Sequence, residues 1–457
     1  MKGTEYRRLS GAPAARENYR FQPPAKIRLD KLYLVISQML DAVEQEFQDV
    51  SPHHCLRVAM LCSAIARHLG ICDEEVIEIG AAAIFHDSAI SESHLAKHLK
   101  NGKKKDRFLR LHCKLGQRNF ECLPVLGRMD DIILYHHERN DGSGPFGKKR
   151  GEFPIGAEIL SLVDTLDITE HFETAGPERL EAIRADAQQL ANFQYSQEVV
   201  NAFCAALTVS MCYYLHDENI EGAICRESPS YYMDLADPVI IRVSEMVAHI
   251  IDNKSVFTRK HTVQIANRAY LMAEYYGYSN TEKNLLYLAA SLHDIGKAAT
   301  PTGLLEKPGN LTLEEYRIIM KHVRYTWEWL HEVEGFEQIT HWAATHHERI
   351  DGSGYPFHLT GDDLDFNARL MACIDIYQAV SEERPYHAAR CHRDTMHILR
   401  AQAAAGKIDA GVVEDMDIAM APYSMKDVPS PPLHAMLRER RLRKDTGKRH
   451  AGLKSAN

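Results

Sequence analysis

Two adjacent pairs, His293-Asp294 and His346-His347, share the second half of this chain with His261, His322 and Asp375. These imidazoles and carboxylates, with no thiolate among them, suit iron, manganese or nickel better than a structural zinc site of the cysteine type. A lone histidine on an apolar helix face is usually a satisfied core residue. That reading weakens as donors accumulate on several helices, because a helical bundle can aim such side chains into one interior pocket. Burying so many polar groups without a cation would leave their desolvation uncompensated. Asp294 has two oxygens and can serve two cations at once. Paired cations about 3.5 to 4 Å apart activate a bridging water and neutralise a phosphate, which fits phosphodiester hydrolysis.

The same donors occur earlier in the chain, in the same order. His54 recurs as His261 and His86-Asp87 as His293-Asp294, both 207 residues on, and Gly70 recurs as Gly277 at that offset. His112 matches His322 and His136-His137-Glu138 matches His346-His347-Glu348 at 210, while Asp164 matches Asp375 at 211. The last step is visible as a residue: DGSGPF in the first repeat reads DGSGYPF in the second, where Tyr355 is an insertion or its counterpart a deletion. Seven metal-capable positions kept in order imply a duplication.

The elements that must position these residues are helices. Val263, Ala266, Tyr270 and Ala273 recur at spacings of three and four, as do Leu285, Leu288, Ala289 and Leu292. Thr312 with Glu315 forms a capping box opening the helix that carries His322. Strand-like alternation is nowhere sustained, so the expected fold is all-α, two tandem helical bundles. The boundaries read as a mobile segment 1–29, a first domain 30–225, a linker 226–234, a second domain 235–425 and a mobile basic tail 426–457.

A length of 457 residues favours two cores. The 45% hydrophobic and 26% charged composition is that of a globular protein. A formal charge of -9 argues against duplex nucleic acid as a partner, so a phosphate ligand must be held locally. No window approaches a membrane span and no signal peptide is evident, so a cytoplasmic location is expected. Ten cysteines without a CxxC pair read as reduced core thiols. A homodimer and signalling-protein partners stay open.

HDIGK at His293 to Lys297, HHERIDGSGYP at His346 to Pro356 and ERPYH at Glu383 to His387 resemble the signature of the HD-GYP family. These motifs span most of the second repeat. The resemblance implies a tandem HD-domain phosphodiesterase, usually iron- or manganese-dependent, that opens bacterial cyclic dinucleotides to linear ones. Cyclic di-GMP is the usual substrate, and some members prefer 3′,3′-cyclic GMP-AMP. It further implies that His261, His293, Asp294 and Asp375 hold one metal, and Asp294, His322, His346 and His347 the other. Lys297 would stand beside the attacked phosphate as cation and proton donor, making Asp294 and Lys297 the catalytic pair. Tyr355, with Gly354 and Pro356, would line the substrate pocket, and Arg384 would bind a phosphate. Members with a third metal resemble one another in a Glu four residues before the first His. Phe257 stands there, so two divalent metals per active site are expected. His387 replaces the Lys common at the end of the RPY segment. Gly352, Gly354 and Pro356 could instead serve only as a turn, and Arg384 before Pro385 only as a helix end.

The first repeat keeps His54, His86, Asp87, His112, His136, His137 and Asp164, a possible second metal site. It has Ile90 where Lys297 stands, lacks the tyrosine, and has no RPY after Asp164. An apolar side chain cannot stabilise charge on a phosphate oxygen or protonate a leaving group. A degenerate domain that regulates, stabilises or dimerises is expected. The competing functions are a cyclic-dinucleotide sensor without turnover, against which Lys297 and Tyr355 argue, and another HD-type nucleotide phosphohydrolase.

Overall fold

The computed structural model describes residues 26–47, 50–90, 105–123, 131–227, 232–234, 239–255, 261–382, 389–423, 427–429 and 431. Phe257, Glu383, Arg384, His387 and the basic residues of the tail lie outside the described residues.

The architecture is all-α. In the first repeat the site is framed by α1 (Leu29–Phe47), α2 (His54–His68), α3 (Asp73–Phe85), α4 (Lys105–Phe120) and α5 (Ile155–Glu170). In the second it is framed by α6 (Val239–Asp252), α7 (His261–Tyr275), α8 (Asn280–Leu292), α9 (Leu313–Leu330), α10 (Glu337–Ala344) and α11 (Phe366–Ser381). Shorter helices, including Gln197–Ala206 and Ala410–Met420, complete the bundles.

The helices begin where the sequence supplies caps. Ser279 accepts from the Glu282 amide while Glu282 accepts from the Ser279 amide, and Thr312 and Glu315 repeat this exchange at the head of α9. These reciprocal bonds satisfy amides that the first helical turn leaves unpaired. Helices α2 and α7 are buried around most of their circumference and run through the centre of each bundle, carrying buried polar side chains such as Arg57 and Gln264 among the apolar ones. α2 packs against α3 and α5, and α7 against α8 and α11.

One apolar core, from Ile27 to Val428, runs through both repeats. Helix α1 packs on its own α2 and α3 and also on the turn Ile295–Ala299 of the second repeat. Three segments expected to be loose take part. Lys26–Arg28 (β1) pairs antiparallel with Tyr232–Asp234 (β2), with Ile27 fully buried opposite Met233. The first strand lies in the stretch read as a mobile leader and the second in the stretch read as a linker. A three-residue pairing is too short to leave an alternating pattern, which is why neither was legible. Val428 is likewise buried, and its amide and carbonyl are both bonded to the Gln264 side chain. Among the described residues, no single helix is long and apolar enough to cross a membrane.

Candidate metal centre and active site

In the second repeat His261 opens α7, His293 caps the end of α8, His322 lies in the middle of α9, His346 and His347 follow α10, and Asp375 sits in α11. All seven expected donors converge. His261, His293 and Asp375 form one group whose ligand atoms lie within 4.8 Å of one another, His293, Asp294 and His346 a second, and His322, His346 and His347 a third.

Asp294 stands between them. Its Oδ2 faces His293 Nε2 at 3.1 Å and His261 Nε2 at 3.7 Å, while its Oδ1 faces His322 Nε2 at 3.3 Å and His346 Nε2 at 3.9 Å. Asp375 closes the ring, 3.8 Å from His261 Nε2 and 3.4 Å from His347 Nδ1.

The imidazoles are aimed by their own backbone. The Nδ1 atoms of His293, His322 and His346 lie 2.7, 2.5 and 2.5 Å from the carbonyls of Ala290, Ile319 and Ala343, each three residues back. A carbonyl accepts only, so Nδ1 carries the proton and the Nε2 lone pair points into the pocket, the arrangement of a metal ligand. Those three Nε2 atoms and Asp294 Oδ1 are buried without a hydrogen-bond partner. Four orphaned acceptors lining one pocket are costly unless cations satisfy them. The donor set therefore fits divalent metal.

Electrostatics agree. Burial pulls the His322 imidazole down to about 4 and His346 to about 3, so both are neutral near pH 7. Burial opposes charge on Asp294, but His293 and Lys297 outweigh it and hold the carboxyl well below the ordinary range. Neutral His322 and His346 beside an ionised Asp294 have the protonation states a metal requires, whereas Asp294 outweighs burial at His293 and raises it.

Lys297 rises from the turn Ile295–Ala299, and its ammonium donates to Asp294 Oδ2. That turn lies against α9 because residue 296 is glycine. A Cβ there would come within 2.0 Å of the His322 carbonyl. Thr326 Oγ1 bonds both the His293 carbonyl and the Gly296 amide, locking the turn to the helix.

The loop after His347 is held by Glu348, whose carboxylate accepts from the Phe357 and Leu359 amides at 2.7 and 3.1 Å. Gly354 is pressed on the backbone of Glu348 and Arg349, where a Cβ would meet atoms at 2.4 Å, and Gly352 has φ +75°. Both glycines serve the turn. Pro356 is half-buried beside them and follows a cis peptide bond. Tyr355 is the loop residue that meets the donors, its ring centroid 4.9 Å from that of His347. Burial raises its phenol above the ordinary value, as does the neighbouring Tyr316 hydroxyl.

The first repeat assembles the same frame. His54, His86 and Asp164 form one group and Asp87, His112, His136 and His137 another. Asp87 again divides its oxygens, Oδ1 at 2.9 Å from His112 and Oδ2 at 3.7 Å from His86. Nε2 of His54, His86, His112 and His136 are all buried without a hydrogen bond. Ile90 lies buried at the position of Lys297.

Sequence reasoning missed the groups that orient the first histidine of each repeat. His261 Nδ1 is 2.8 Å from Glu382, and His54 Nδ1 is 2.6 Å from Asp167, which Arg57 grips in turn. The two carboxylates do not align between repeats, so the duplication could not reveal them. Their one signal is spacing along the helix from the ligands, Asp164 to Asp167 and Asp375 to Glu382.

The sequence model of the HD domain matches residues 35–189 and matches again at 245–412. The chain belongs to the HD domain family. Among HD-domain proteins, it is 27% identical to 3′3′-cGAMP-specific phosphodiesterase 1 of Vibrio cholerae serotype O1, over 85% of this chain and 91% of that one. It is 37% identical to the cyclic di-GMP phosphodiesterase response regulator RpfG of Xanthomonas campestris pv. campestris, over 31% of this chain and 38% of that one. The HD-domain fold is also that of a crystal structure described as a cyclic GMP-AMP-specific phosphodiesterase of V. cholerae. The likeness has a TM-score of 0.61 and 21% identity, over 87% of this chain and 98% of that one.

Proposed function

We propose that this chain hydrolyses a cyclic dinucleotide to the linear dinucleotide, with 3′,3′-cyclic GMP-AMP the preferred substrate over cyclic di-GMP. The observation that carries this reading is Asp294, which offers one oxygen to His261 and His293 and the other to His322 and His346, with Lys297 beside it. The preference within the class is supported by the length of the match to the cGAMP-specific relative, against the partial match to the cyclic di-GMP one.

His261, His293, Asp294 and Asp375 would hold one divalent cation, and Asp294, His322, His346 and His347 a second; iron and manganese suit such nitrogen and oxygen donors. Bound cations supply charge against the phosphate and lower the pKa of water. Lys297 keeps a proton at Nζ next to the reacting phosphate and hands it to the departing ribose oxygen. Tyr355 forms the pocket wall over His347, and Arg384 is assigned a phosphate contact by its motif. The first repeat, 30–225, holds cations without turnover and acts on the second, 235–425, across their shared core.

The test is incubation of the purified chain, loaded with iron or with manganese, with each cyclic dinucleotide, followed by chromatography of the products. Linear dinucleotide, formed faster from cyclic GMP-AMP, is the expected result. Tight binding without product would make the chain a sensor. Turnover only of nucleoside phosphates or linear oligonucleotides would make it another HD phosphohydrolase.

A further inference from the structure

Lys254, just beyond α6, is 2% exposed. A cation this deeply buried needs partners to offset its lost hydration. Its ammonium donates to the Ala298 carbonyl and lies 3.1 Å from Glu46 Oε2. Ala298 belongs to the turn that carries Lys297. Glu46 belongs to the other repeat, in the last turn of α1.

The same carboxylate reaches the chain just past that turn. Glu46 Oε1 accepts from the Thr302 amide at 2.6 Å, and Oε2 accepts from the Thr302 hydroxyl at 3.0 Å. One acidic side chain of the first repeat thus fixes the segment after Lys297 directly through Thr302, and the turn itself through Lys254. The body of α1 packs along the same turn.

The arrangement is one-sided. Asp41 and Asp252 accept from the equivalent amides of Cys55 and Thr262, which aligns α1 with α6 at an offset of 211; there the counterparts of Glu46 and Lys254 are Phe257 and Val43, so the sequence provides no reciprocal carboxylate and ammonium for the turn bearing Ile90. A merely cohesive ion pair between duplicated halves has no reason to select the turn that carries the lysine. We infer that Glu46 and Lys254 are positioning residues, through which the first repeat holds the catalytic turn of the second in register with Asp294.

This inference rests on the proposed hydrolysis for its kinetic test and on no activity for its structural one. In full-length protein, Glu46→Ala and Lys254→Met should each lower kcat by about tenfold or more, the scale of a small misplacement of a reacting group, with KM within about twofold. Metal content should be unchanged, and Glu46→Asp should recover part of the loss. Amide hydrogen exchange in the peptide spanning residues 293–302 should quicken in both variants.

Glu334→Ala removes a different contact to the second repeat, the 3.4 Å pair of Glu334 with Arg28 of β1, and should change neither rate. Equal kcat losses in Glu334→Ala would mean general loosening and overturn the inference. So would wild-type kcat and wild-type exchange in Glu46→Ala, or a kcat loss that follows metal loss. Should Glu46→Ala fail to fold, Glu46→Gln and Thr302→Val carry the same two measurements. If the wild-type chain hydrolyses neither dinucleotide, the functional reading falls and the exchange experiment still decides the clamp.

Discussion

Lys297 and Ile90 close the same backbone turn. The Lys297 amide donates to the Asp294 carbonyl at 2.9 Å and the Ile90 amide to the Asp87 carbonyl at 2.8 Å. The repeats therefore differ here in side chain, not in path. Lys297→Ala should lower kcat by about 100-fold or more, the usual scale for losing a catalytic proton donor, with metal content preserved. Steady-state kinetics with elemental analysis of the same sample checks it, and near-normal turnover would remove Lys297 from the mechanism.

Asp294 and Asp87 each divide two oxygens between two groups of histidines, so both should be needed for metal retention in their own repeat. Asp294→Ala should abolish hydrolysis and reduce total metal by about half, since ligand loss at one cluster leaves the other intact. The pair of changes His86→Ala and Asp87→Ala should reduce metal similarly and leave hydrolysis measurable. Substantial hydrolysis by the His293→Ala, Asp294→Ala double variant would place a working active site in the first repeat and reverse the assignment.

The contact between the HD turn and the next helix offers a sterically defined test. Gly296 lies on the backbone of His322 and Thr326 in the second repeat, where the first repeat has Ala89 at the aligned turn position. Gly296→Ala alone should destabilise by roughly 1–3 kcal/mol, as overpacking does. Adding Thr326→Gly should cost less than the sum of the two single changes, because a turn pushed off the α9 backbone has already lost the bond from the Gly296 amide to Thr326 Oγ1. Denaturant unfolding of the four proteins measures the coupling, and strict additivity would show that the turn keeps its bond to Thr326 when residue 296 gains a Cβ.

Much of the centre could be read before any fold was known, because metal ligands repeat as residue types at fixed offsets. All seven donors of each repeat fall together, and Thr312 and Glu315 cap α9 as their spacing requires. Groups that act by geometry were less visible. Glu382 and Asp167 orient equivalent histidines from non-equivalent positions, so aligning the repeats conceals them. Glu348 could pass for part of a ligand motif, yet its carboxylate is spent on the amides of Phe357 and Leu359. Glu46 has no partner within its own repeat's pattern, and its role appears only when α1 is seen lying on the turn of Lys297.

Acid should weaken the metal-free protein through His322 and His346, whose imidazoles burial pulls down to about 4 and about 3. In the unfolded chain these groups titrate near 6.5. Between those values the unfolded state binds protons that the folded state refuses, so stability rises with pH. Their contribution is complete above about pH 6.5 and is lost as pH falls toward the folded values, by about 2 kcal/mol per histidine at pH 5. His293 works in the opposite sense, since Asp294 outweighs burial and raises it; its contribution is present below about 6.5 and lost above the folded value. A comparison that isolates one group is therefore needed. His346→Asn cannot take up a proton, so the metal-free variant should lose less stability between pH 7 and pH 5 than the metal-free wild type. Thermal melts in chelator at both pH values measure the difference, and equal losses in the two proteins would show that His346 is already protonated, or exposed, when the metal is absent.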